Sequence, residues 1–236
     1  MVSTPKNRTS DTPDPPPRAR QPRAPGPQPP SSRDKILDVA EALFARSGFA
    51  GVALREVAEN VGLSKSTLFH HFSGKTQLYA AVMGRVVRRI DADVRRAIAS
   101  DGSCLERFEA SVDTMIDALA QHPCSARLLL RGLFEDDQFP PGSAHEIEEV
   151  EREIALLIDA LQDVAREGIE AGEFRDLSVP DAIQTLIGAT VYHFASGDFG
   201  ERITGSSLFS AEAVARRKRE VNRLLRGALR ASESDR

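Results

Sequence analysis

The chain holds 236 residues, 41% hydrophobic and 28% charged, with a formal net charge of −4, enough apolar material for a buried core and hence a folded, soluble protein. No run of eighteen apolar residues occurs, and the polar, proline-rich start has no apolar signal core; nothing therefore points to a membrane span or to export, and the cytoplasm is the default residence. The charge is divided: residues 1–99 carry 16 Lys/Arg against 9 Asp/Glu and residues 100–236 carry 15 against 26, as expected if only the first part meets a polyanion.

The first segment, residues 1–31, reads as a disordered basic arm. Pro15, Pro16, Pro17, Pro22, Pro25, Pro27, Pro29 and Pro30 forbid a packed helix. Its Arg18, Arg20 and Arg23 are either a solvated tail or a strip for a DNA backbone or minor groove. From Ser32, a plausible N-cap, Ile36, Leu37, Ala40, Leu43 and Phe44 form one apolar stripe that Gly48 ends. Leu54, Val57, Ala58 and Val61 then make a short helix closed by Gly62, and Lys65 to Phe72 makes another after Leu63 and Ser64. A long helix over Lys75 to Ala99 places Leu78, Val82, Val86, Ile90, Val94 and Ile98 inward and assigns Arg85, Arg88, Arg89, Arg95 and Arg96 to its outer face. Five further helices are expected, carried by Leu105 to Leu119, Leu128 to Phe134, Ile147 to Val164, Ile183 to Phe194 and Val214 to Ala228. Breaks are expected at Glu135 to Ser143, Gly172 to Pro180 and Gly197 to Ser210, and no strand pattern competes.

The two short helices meet the requirements of a helix-turn-helix. Ala58 is small enough for close contact, Gly62 tolerates positive φ at the turn, Val57, Val61, Leu63 and Leu68 pin the second helix, and Ser64 caps it. An Ala-x-x-x-Gly pattern alone fits a helical hairpin with no DNA role equally well. The outward chemistry of the second helix favours DNA: Lys65 and Thr67 suit phosphates or base edges, Ser66 donates or accepts, and the helix N-terminus attracts phosphate. His70 and His71 point about 100° apart, and His70 is the one assigned to DNA.

Leu43-Phe44 through Gly48-Phe49, Val57-Ala58, Gly62-Leu63-Ser64, Thr67-Leu68-Phe69-His70-His71-Phe72 and Lys75 to Leu78 resemble the N-terminal domain of the TetR/AcrR family, without a gap over residues 33–92. The resemblance implies an all-α chain: a three-helix helix-turn-helix DNA-binding domain over residues 32–92, then a helical effector-binding and dimerisation domain over residues 93–232. Lys65, Thr67, Phe69, His70 and Lys75 fall where family members usually contact DNA. With Arg55, Ser64, Ser66 and His71 they make the candidate DNA-binding set. Three departures limit the transfer. Ala53 stands where a capping Thr or Ser is usual, Phe69 replaces the commoner tyrosine, and Ser66 replaces a frequent glycine.

For the second half the resemblance is looser, resting on Glu167-Gly168, Ala171-Gly172-Glu173-Phe174 and the closing helix. It implies a homodimer built from the last two helices and an unidentified small-molecule effector held among the helices after Ala99. Phe108, Met115, His122, Phe134, Tyr192, His193 and Phe194 are the candidate ligand-binding residues, against a bland reading of each as ordinary core or a satisfied imidazole. Five scattered histidines without His-x-x-x-His give no metal site, and Cys104 and Cys124 lack the clustering of a disulfide framework and are expected reduced. No Gly-x-Ser-x-Gly, Gly-x-Gly-x-x-Gly or His-Glu-x-x-His occurs, so neither an enzyme nor a cofactor is expected. The expected function is a repressor on a palindromic double-stranded DNA operator, released by its effector, with no membrane partner. An activator on the same fold, or a helical dimeric module without DNA binding, remains beside it.

Overall fold

A computed structural model describes residue 1, residues 31–132 and residues 144–230. Arg18, Arg20 and Arg23 of the arm, and the ligand candidate Phe134, lie outside the described residues. Ten helices run through the described residues: α1 (Ser32–Ser47), α2 (Leu54–Val61), α3 (Lys65–His71), α4 (Lys75–Ile98), α5 (Cys104–Gln121), α6 (Pro123–Gly132), α7 (Ala144–Glu170), α8 (Val179–Ala195), α9 (Gly197–Thr204) and α10 (Ala211–Leu229). The one β-type pairing among them is an isolated bridge between Phe174 and Arg230.

Side-chain caps start the helices that the stripes mark. Ser31, one residue before the expected Ser32, caps α1: its hydroxyl accepts from the Asp34 N–H at 3.2 Å while the Asp34 carboxylate accepts from the Ser31 N–H at 3.3 Å. That reciprocal box needs an acid three residues on, which Ser31 has and Ser32 lacks. Ser103 and Glu106 build the same box at α5. The stripe of α1 is buried, and Phe44, Phe49 and Tyr79 of α4 close over one another, with Tyr79 edge-on to both rings at 5.1 and 5.3 Å. Leu78, Val82, Val86, Ile90 and Val94 are buried along α4, which packs on α5 and α7 and runs unbroken through residue 92.

Three expectations need correction. α6 begins at Pro123 rather than Leu128, because proline suits a first helical position where no N–H is needed. Residues 197–204, expected as part of a break, form α9. Its Gly197 and Gly200 lower helix propensity by about 1 kcal/mol each, but a Cβ on Gly200 would stand 2.1 Å from Ser196 Oγ and 3.0 Å from Leu208 Cδ1, so close tertiary packing selects the glycine. Arg85 and Arg89 are not on an outer face. Both turn inward to Glu41 of α1, which is 5% exposed.

Candidate nucleic-acid interface

The turn between α2 and α3 follows from Gly62. Its left-handed backbone (φ 74°) lets the Leu63 N–H reach the Ala58 carbonyl at 2.9 Å and its own N–H reach the Glu59 carbonyl at 3.1 Å, which satisfies the end of α2 and reverses the chain. Val57, Ala58 and Leu68 are buried and Val61 and Leu63 half-buried, so the expected pins hold α3 on the domain. Leu68 is fully buried while Ser64, Lys65, Ser66, Phe69 and His70 are exposed, and Thr67 and His71 are half-buried. The helix therefore presents one polar face.

On that face Ser64 accepts from the Thr67 N–H at 3.1 Å, and its hydroxyl lies 2.8 Å from those of Ser66 and Thr67. Lys65 Nζ sits 5.5 Å from the centroid of the Phe69 ring, which is 41% exposed and keeps the ammonium over its face. His70 is the more exposed of the two histidines, and the two rings meet edge-on at 5.7 Å. Arg55 projects from α2 and pairs with Glu59 at 2.6 Å. Ala53 gives α2 no side-chain cap, as its chemistry requires. Lys75, at the start of α4, donates from its ammonium to the Ala50 carbonyl at 3.2 Å and covers the Phe49 ring at 4.6 Å.

Behind the interface stands a group that sequence reasoning missed. The Glu41 carboxylate accepts from Arg85 at 2.8 Å, from Arg89 at 3.0 and 3.1 Å, and from the Ser125 hydroxyl at 3.0 Å, while Arg85 also reaches Asp38 at 2.7 Å. One buried acid thus ties α1 to α4 and α6. Its signal was present: Glu41 is four residues after Leu37 and three before Phe44, inside the apolar stripe.

The ligand candidates separate. Phe108, Met115 and Phe194 are core residues, Phe108 edge-on to Phe174 at 6.2 Å and Met115 within 4.0 Å of the Thr190 hydroxyl. Half-buried His122 lines a hollow of about 660 Å³ between α4 and α5, with Arg89, Arg96 and Thr114, and burial foremost, then Arg89, lowers its pKa. Tyr192 and His193 line a different hollow, of about 360 Å³, between α8, α9 and α10. Burial, with Arg217 and Arg216 adding to it, pushes His193 down to about 4. Cys104 and Cys124 are free thiols, and burial raises both pKa values, which disfavours the nucleophilic thiolate.

Residues 36–82 match the family model described as bacterial regulatory proteins, tetR family, and residues 105–224 match that described as tetracyclin repressor-like, C-terminal domain. The chain is 31% identical over 105 residues to the HTH-type transcriptional activator FasR of Mycolicibacterium smegmatis, across 44% of this chain and 46% of FasR, so it spans about half the length of that relative. It is 26% identical over 163 residues to the HTH-type transcriptional repressor KstR2 of Mycobacterium tuberculosis, across 69% and 78% of the two chains. The KstR2 structure, described as a ketosteroid transcriptional regulator, shares the fold with a TM-score of 0.70 at 20% identity, over 87% of this chain and 98% of that one. AibR in complex with isovaleryl coenzyme A and operator DNA shares it with a TM-score of 0.66 at 15% identity, over 82% and 97%.

Proposed function

The chain belongs to the TetR family of bacterial regulatory proteins, and from that premise we propose that it is a DNA-binding transcriptional repressor whose homodimer grips a palindromic operator and lets go when a small effector binds among the later helices. The observation that carries the reading is the exposed face of α3, where Lys65, Ser66, Thr67, Phe69 and His70 stand on a helix fixed from behind by Leu68. Lysine and hydroxyl groups in the first turn serve phosphates and base edges, and the Phe69 ring adds apolar contact without the hydroxyl of a tyrosine.

Two copies are needed because one such helix reads too few base pairs for specific affinity. The α8–α10 side supports a second copy: Tyr192 and Leu224 are 52% and 70% exposed, and a trough of about 380 Å³ lined by Leu186, Val221, Leu224 and Leu225 runs between the two helices. Apolar surface of this kind is what a helix from a partner covers. The route from effector to DNA is α4, which carries Arg85 and Arg89 to Glu41 and so moves α1 with it. A displacement of α4 changes the separation of the two recognition helices, which must span roughly 34–36 Å. That AibR is described with both isovaleryl coenzyme A and operator DNA supports an effector on the same fold. KstR2 is named a repressor and FasR an activator, and promoter position decides between those outcomes for one recognition surface.

The test is selection from a random duplex pool with the full chain. Enrichment of inverted half-sites centred about one helical turn apart, with affinity falling steeply as salt rises, is the expected result. Retention of no preferred sequence overturns the reading. A reporter carrying the selected site then separates repression from activation.

A further inference from the structure

α9, the helix that lay inside an expected break, supplies the third wall of the hollow between α8 and α10. The hollow has an apolar lining from Ala189, Ile203 and Leu208, with His193, Arg216 and Arg217 set into it. Two polar atoms on these residues are buried without a hydrogen-bond partner, Nε2 of His193 and Nε of Arg217. Arg217 turns one end of its guanidinium to the Ala189 carbonyl at 2.6 Å, and Arg216 donates to Ser206 Oγ at 2.7 Å. Glu220 also lines the hollow, leaving two guanidinium groups against one carboxylate. Buried polar atoms left unpaired beside a cavity call for a partner inside it, and half-buried guanidinium groups that outnumber their acids favour an anion.

We propose that this hollow is a ligand site for a small amphipathic carboxylate, its apolar body against Ala189, Ile203 and Leu208 and its carboxylate at His193 and Arg217. A carboxylate offers two oxygens to the guanidinium fork and to an imidazole N–H. His193 is neutral at neutral pH, so it donates from one ring nitrogen without adding a charge that the apolar wall would have to solvate. The volume of about 360 Å³ falls in the range of small-molecule sites. Its three walls come from a single chain; Ala189 and Arg217 also line the adjoining two-helix trough proposed for the second copy, while His193, Ile203, Leu208 and Arg216 line this hollow and not the trough. The proposal deepens the effector reading and rests on it only for the consequence at DNA.

The experiment titrates the full chain with decanoate by calorimetry, and maps hydrogen exchange with and without it. One saturable site per chain is expected, with slowed exchange over residues 197–204. Arg217→Gln and Ala189→Leu should each weaken binding about tenfold or more, and decylamine, which puts a cation at the same head, should not compete. Absence of saturable binding, affinity in both variants unchanged from that of the unaltered chain, or slowed exchange confined to α4 to α7 overturns the site. Where Arg217→Gln fails to fold, the exchange map on the unaltered chain decides. Operator binding is read separately: decanoate protecting α9 without moving operator affinity upholds the site and removes this ligand as the effector, whereas operator release by another compound with α9 unaffected by decanoate upholds the regulator and removes the site.

Discussion

α3 and α10 are both rich in hydrogen-bond donors, yet the donors are in opposite states. At the start of α3, the hydroxyl of the capping Ser64 bonds those of Ser66 and Thr67, and Lys65 lies over Phe69 of the same helix. On α10, three donors at helical spacing are tied to three acids of α5: Arg226 to Glu109 at 2.7 Å, Asn222 to Asp113 at 3.0 Å, and Lys218 to Asp117. A donor that is held only by its own helix exchanges water for a phosphate at small cost. One that is locked to a neighbouring helix holds the tertiary structure. Lys218 and Arg226 of α10, basic residues inside the acidic half, therefore serve packing, and net charge by halves describes neither helix.

The largest expected effect removes the acid behind the interface. Glu41→Ala leaves Arg85 and Arg89 without their shared carboxylate in a mostly buried place, and unfolding free energy in urea should fall by about 3–5 kcal/mol. A loss under about 1 kcal/mol would show that α1, α4 and α6 do not depend on it. Next is a direct contrast of the two helices. Lys65→Ala with Thr67→Ala should weaken operator binding by about 2–4 kcal/mol, roughly 30- to 1,000-fold, with the melting curve little changed. Arg219→Ala with Arg223→Ala on the exposed side of α10 should leave operator affinity where it was. Equal losses in the two double variants would break the comparison.

Acidification sharpens it at the other end. The pKa of His193 is about 4 in the folded chain and its ordinary value is 6.5, so the unfolded chain takes up the proton first. Stability should decline as pH falls from about 6.5 through about 4, and His193→Asn should flatten that part of the stability profile. A profile unchanged by the substitution would show that the imidazole is not held neutral by its burial. The smallest effect is a gain. Ala53→Ser supplies the cap that α2 lacks and should raise stability by about 1 kcal/mol, read as a higher melting temperature.

The helix-turn-helix was legible because everything that makes it is local. Gly62 sets the turn, Ser64 the cap, and Leu68 the buried side of a seven-residue helix, each within a few residues of the groups it positions. The domain's inner face was less so. Arg85 and Arg89 were assigned to solvent because charge on a helix is usually solvated, and their acid is 44 and 48 residues away. The candidate ligand residues fared the same way. Aromatic and sulfur side chains are chosen for cores as readily as for cavities, and Phe108, Met115 and Phe194 went to the core while Tyr192 and His193 reached a hollow wall.

By itself the sequence determined the all-α architecture, eight of the described helices at or near their places, the turn at Gly62 and the outward face of α3, since helical periodicity and caps depend on spacing along one chain. Tertiary structure alone decided that Glu41 joins three helices, that residues 197–204 coil against Leu208 into α9, and that the hollow lies between α8, α9 and α10. Those features are made by groups distant in sequence that meet only after packing. Burial then changes what each group can do, turning an acid into a tether and a histidine into a neutral donor.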